Sequence, residues 1–156
     1  MKIIVAFVLS ILFFALQAPA VLAADWQEDQ AKADQYYAAG DYNKAFKIYF
    51  KLAKRGVSHS QHRVSQMYAN GEGKKKDLTE AYGWSVLAAQ RGASEMEADR
   101  DSLLQQVGNK AAAQKKADKL LNKYGRDALQ AKADSKAKLK HNTKSGGCTG
   151  SKLGCR

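Results

Sequence analysis

DYNKAFKIYFKLAKRG, residues 41–56, aligns without a gap on DLTEAYGWSVLAAQRG, residues 77–92. The offset is 36 residues throughout. Asp41/Asp77, Ala45/Ala81, Ala53/Ala89, Arg55/Arg91 and Gly56/Gly92 are identical pairs, and Phe46/Tyr82 keeps an aromatic ring. A fixed period of this length predicts stacked helix pairs, because one pair alone cannot bury its apolar face. The expected fold class is all-α: a short α-solenoid of antiparallel helix pairs, about six helices in all, followed by a Lys-rich C-terminal tail.

Local signals divide the repeats into helices. Residues 26–39 read as a helix ending at Gly40. Asp41 is placed to N-cap a second helix through Lys54, with Gly56 just past its end. Ala45, Ile48, Tyr49, Leu52 and Ala53 fall at helical spacing and give it one apolar face. Ser58 or Ser60 starts the next helix, which runs to about Ala69 and offers Val64, Met67 and Tyr68 for burial. Asn70-Gly71-Glu72-Gly73 is a turn, because two glycines and an asparagine tolerate left-handed backbone angles. Asp77 caps the following helix; Ala81, Trp84, Val86, Leu87, Ala88 and Ala89 are its apolar positions, and Gly92 ends it. Two further helices are read at 101–107 and 110–123, with Leu103, Leu104 and Val107 packing on Ala113, Ala117, Leu120 and Leu121. Tyr124-Gly125 closes the last one.

Ser60, Val64, Ser65, Tyr68, Gly71, Gly73, Asp77, Ala81, Trp84, Ala88, Ala89 and Gly92 sit at the spacing of a Sel1-like repeat. Residues 57–92 resemble one complete Sel1-like unit. Residues 26–56 resemble a unit of the related tetratricopeptide class, whose short turn is similar to Tyr36-Tyr37-Ala38-Ala39-Gly40-Asp41-Tyr42. Small residues at Ser65, Ala81 and Ala88 would let helices approach closely, with Tyr68 and Trp84 filling the space between. Ser60 and Ser65 replace the usual Ala and Gly, Lys74 replaces an apolar residue, and Arg100 stands where a leucine is expected. In such folds the first helix of each pair lines a concave face that holds peptides or helices of a partner protein. The resemblance thereby implies a groove of Gln30, Asp34 and Tyr37 from the first unit and His62, Gln66 and Ala69 from the second.

The ends of the chain carry different information. Lys2, the apolar run from Ile3 to Leu16 and the small residues of Val21-Leu22-Ala23 read as a secretory signal peptide spanning 1–23, cleaved between Ala23 and Ala24. Retention as an uncleaved anchor is the alternative, since Ile3 to Ala23 is just long enough to span a bilayer. The repeat domain then covers 24–124, a basic linker or tail 125–147, and a cysteine-bracketed loop 148–156. No segment after the signal is long and apolar enough to cross a membrane. The expected location is periplasmic or secreted, where Cys148 and Cys155 would pair as a disulfide. A mixed disulfide with a partner and a free redox pair are the other possibilities.

The formal net charge is +11. Residues 109–144 hold ten Lys and one Arg against three Asp, a local balance of +8. Within that segment Lys110, Lys115, Lys116, Lys119 and Lys123 are the candidate electrostatic contacts. In an exported chain such charge points to anionic envelope polymers, lipid headgroups or an acidic protein, and nucleic acid is set aside. A merely solvated, solubilising tail is the equal alternative.

Catalytic patterns are weak. Ser135-Lys136-Ala137-Lys138 fits S-x-x-K and Lys144-Ser145-Gly146 resembles K-T-G, as in penicillin-recognising serine enzymes. The third motif of that set is missing and the chain is too short for that fold, so the match is attributed to a Ser/Lys-rich tail. His59 and His62 could share a helix face as metal ligands, but no third ligand is near, and they are read as exposed residues lining the groove. No cofactor, metal or catalytic residue is expected. The leading expectation is an adaptor or scaffold that binds a protein partner and is not an enzyme. The alternative is a binder of an anionic envelope polymer or membrane surface through the basic C-terminal segment.

Overall fold

The computed structural model describes residues 24–91 and 94–145. Every regular element among them is a helix: α1 (Ala24–Ala38), α2 (Tyr42–Ala53), α3 (Ser58–Asn70), α4 (Leu78–Ala89), α5 (Ser94–Gln106), α6 (Lys110–Tyr124) and α7 (Arg126–Ser145). None is long and apolar enough to cross a membrane among the described residues. The signal peptide, Gly92 as a helix stop, and Cys148 with Cys155 lie outside the described residues.

The repeated positions do repeated jobs. The Asp41 carboxylate accepts from the Lys44 amide at the start of α2, and the Asp77 carboxylate accepts from the Thr79 and Glu80 amides at 2.9 Å at the start of α4. Each satisfies backbone donors that a helix start leaves without partners. Ala45 and Ala81 are both fully buried, and Phe46 and Tyr82 are nearly so. At the turn after α3, Gly73 has φ +67°, and its α-carbon abuts the Tyr42 carbonyl so closely that a Cβ there would lie 2.4 Å from the oxygen.

Successive helices from α1 to α5 pack on one another, and α6 then returns to pack against α4. An aromatic file joins α2, α4 and α6. Phe46 stacks on Phe50 within α2, Phe50 meets Trp84 of α4 edge-on, and Trp84 stacks on Tyr124 of α6. Tyr68 of α3 closes edge-on against Phe46. Ala33, Tyr49, Val64, Met67, Leu87 and Leu120 complete this core. A second cluster joins Ala81 and Tyr82 to Leu103, Val107, Ala113 and Ala117, with Leu104 packed against it. Leu120 and Leu121 face the first core, not the second where the sequence grouped them.

Two boundaries differ from the sequence reading. Helix α5 starts at Ser94, not near Asp101; Glu95 and Glu97 occupy its first turn, where negative charge favours the helix dipole. Residues 126–145, expected as part of a basic linker or tail, form α7. That stretch has no Pro or Gly and is rich in Ala and Lys, both strong helix formers. Residues 131–140 are exposed along it.

Candidate functional site

His59, His62, Arg63 and Gln66 recur on α3 at helical spacing and form one polar stripe. Helix α1 brings Asp34 and Tyr37 beside it, and α5 brings Asp99. The contacts run in a connected order. Arg63 Nη1 donates to Gln66 Oε1 at 3.3 Å, which turns the Gln66 amide nitrogen toward His62. That nitrogen lies 2.9 Å from His62 Nε2, a contact whose direction depends on the imidazole tautomer. His62 Nδ1 has no partner. Asp99 Oδ2, from α5, lies 3.5 Å from His62 Nε2, a contact that becomes an ion pair only with a protonated imidazole. The Arg63 guanidinium sits 5.3 Å from the centre of the Tyr37 ring, and the Tyr37 hydroxyl donates to Glu72 Oε2 at 2.9 Å. The Tyr49 hydroxyl, from α2, reaches Asp34 by a short hydrogen bond.

Burial and charge tune these groups in a consistent way. The Tyr49 hydroxyl is pushed well above the usual phenol range, first by burial and then by its bond to ionised Asp34. Tyr37 moves up for the same reasons, burial first and Glu72 second. His59 moves down, because burial and the neighbouring Arg63 charge both disfavour its cation. The site holds phenols and a histidine as neutral hydrogen-bonding groups around one guanidinium. This suits recognition of a polar ligand more than proton transfer near neutral pH.

Of the six residues expected to line the groove, Asp34, Tyr37, His62 and Gln66 belong to this network or its edge. Gln30 is half-buried one turn earlier on α1, with an unpartnered Oε1. Ala69 instead packs on the second core cluster. His62 is 6% exposed, not the open histidine expected, because Gln66 and Asp99 cover it. The sequence pattern does not single out Arg63, Glu72 or Asp99 for this site, and it marks Tyr49 only as part of an apolar face. The i, i+3, i+4, i+7 stripe of 59/62/63/66 was the readable signal for Arg63. Among the described residues no group of three or more His, Cys, Asp or Glu could hold a metal ion.

The five candidate lysines split. Lys110, Lys115 and Lys119 are exposed on α6. Lys123 is also exposed, with its ammonium 5.2 Å from the centre of the Tyr124 ring. Lys116 is half-buried and spends its charge internally on Glu80 of α4, at 2.5 Å. Comparison of the chain with family models, curated proteins and solved structures found no match.

Proposed function

We propose that the chain is an exported Sel1-like helical-repeat protein that docks a protein partner in the cell envelope. Its helices would be read as antiparallel pairs of a short solenoid, α1–α2, α3–α4 and α5–α6. The docking face would be the one that α1, α3 and α5 share. The observation that carries this reading is the Arg63–Gln66–His62 chain flanked by Tyr37 and Asp99. It draws side chains from the first helix of three successive pairs into one polar surface, as a groove lined by first helices requires. Aromatic and arginine side chains are the residue types that anchor interfaces most strongly. The role is binding and not catalysis, and Cys148–Cys155 would close a terminal disulfide loop.

A photo-crosslinking residue at Gln66, in protein exported to its native compartment, tests the face directly. The same probe at Lys47, exposed on α2, is the control. A discrete adduct from Gln66, absent from Lys47 and lost on Tyr37→Ala with Arg63→Ala, is expected. Adducts from Lys47 alone, or none from Gln66, overturn the docking face.

A second reading has its own support. Lys115, Lys119, Lys132, Lys136 and Lys138 are exposed on α6 and α7, a cationic surface suited to an anionic envelope polymer or membrane. Binding through that surface would fall steeply with added salt, because exposed charges are screened. Docking through the groove would survive it.

A further inference from the structure

Four aromatic side chains from four helices meet around one small cleft: Phe50 of α2, Tyr68 of α3, Trp84 of α4 and Tyr124 of α6. Leu120 completes the apolar lining. Trp84 is buried, whereas Phe50, Tyr68 and Tyr124 stay partly exposed, so the aromatic file of the core reaches the surface here. The cleft holds about 170 Å³. A cavity of about 150 Å³ admits a benzene ring, so this volume suits one six-membered ring and not an extended chain.

The rim of the cleft is basic. Lys116, Lys119 and Lys123 follow one another at three- and four-residue spacing on α6, so they share one helix face, and all three line the cleft. Lys116 is paired with Glu80 of α4 at 2.5 Å, and Glu80 is the one carboxylate among the described lining residues. Lys119 and Lys123 are exposed. The Lys123 ammonium lies 5.2 Å from the centre of the Tyr124 ring, which holds its charge at the aromatic wall. A solvated lysine face accounts for the charge but not for four rings around a hollow. A seam of the core accounts for the rings, but protein interiors close hollows larger than a water molecule. An aromatic enclosure by itself suits a quaternary ammonium group, and three lysines at its mouth select against any cation.

We propose that this cleft binds a small carboxylic acid carrying one aromatic ring. The ring would fill the hollow among Phe50, Tyr68, Trp84 and Tyr124, in the offset or edge-on contacts that aromatic groups prefer. The carboxylate would accept charge-assisted hydrogen bonds from Lys119 and Lys123. Beside the rings these contacts are less screened by water than the same lysines would find on an open surface. The site shares no residue with the polar face of α1, α3 and α5 and does not depend on the docking role.

The test is a titration of the exported chain with 3-phenylpropionate at constant ionic strength, with chloride as the balancing anion. The indole Nε1–H resonance of Trp84 is followed by NMR. Tryptophan fluorescence is followed in Trp26→Phe, which leaves Trp84 as the sole indole. A saturable change at Trp84 is expected in both. Propionate lacks the ring, 3-phenylpropanamide lacks the charge and choline reverses it; each should bind at least about tenfold more weakly. Lys119 and Lys123 are exposed, so Lys119→Gln with Lys123→Gln should keep the fold. That variant should weaken 3-phenylpropionate about tenfold, the scale of two ionic contacts at a surface, and leave 3-phenylpropanamide unchanged. Lys47→Gln with Lys75→Gln removes the same charge at exposed positions outside the cleft and should change neither. A change that does not saturate, that propionate or choline reproduces, or that survives loss of Lys119 and Lys123 overturns the proposal.

Discussion

The indole of Trp84 lies stacked on the ring of Tyr124, with centroids 5.7 Å apart and planes 18° from parallel. The two residues belong to α4 and α6, which are not consecutive. Their contact closes the aromatic file that begins at Phe46 and joins α2, α4 and α6 in one core.

Trp84 is the largest fully buried side chain, 1% exposed. Trp84→Ala removes its contacts with Phe50 and Tyr124 together and leaves a cavity. The expected loss is about 3–5 kcal/mol in denaturant unfolding, the range for large-to-small core changes of an aromatic. Its Nε1 makes no hydrogen bond, so Trp84→Phe should cost markedly less. A midpoint unchanged by the alanine would show that α6 does not dock on α4 through this ring.

Gly73 and Gly40 separate two reasons for glycine. Both have positive φ, +67° and +76°. A Cβ at Gly40 meets nothing within 4 Å, whereas at Gly73 it would strike the Tyr42 backbone at 2.4 Å. Gly40→Ala should cost about 1 kcal/mol, the left-handed penalty alone. Gly73→Ala should cost clearly more, because the α3–α4 turn must lift off the start of α2. Equal melting shifts for the two variants would refute the close approach.

Much of this fold was legible because the repeat supplies the same signal twice. Asp41 and Asp77 as caps and Ala45 and Ala81 as buried positions follow from the 36-residue offset, and Trp84 as a core ring from the apolar spacing of its helix. Legibility fell where the offset ends. The start of α5 carries Ser94, Glu95 and Glu97, a charge signal and not an apolar period, so apolar spacing alone places Asp99 outside any helix and gives no sign of its approach to His62. Tyr49 was read as core from its spacing, and it is fully buried. Spacing could not reveal that its hydroxyl bonds Asp34, since that contact depends on how α1 sits on α2. Lys116 illustrates the same limit: a charge run does not say which member turns inward to Glu80.

The Tyr49–Asp34 bond has a consequence at high pH. The ordinary phenol value is 10.0, and in the folded chain the Tyr49 hydroxyl is held above it by burial and by the Asp34 carboxylate. Between those two values the unfolded chain has lost a proton that the folded chain keeps. The folded state then binds more protons, so stability falls as pH rises. The contribution is fully present below about pH 10 and is lost progressively above it. Tyr37 and Tyr68 are shifted the same way and add to the slope. Melting midpoints measured from about pH 8 to about pH 11 should decline in the upper part of the range. Tyr49→Phe removes the ionisable group while keeping the ring in the core cluster that also holds Ala33 and Val64. The variant should be less stable than the parent at neutral pH, because Asp34 loses its donor, and should show a shallower alkaline decline. Identical alkaline slopes for parent and variant would place the Tyr49 hydroxyl in solvent and break its link to Asp34.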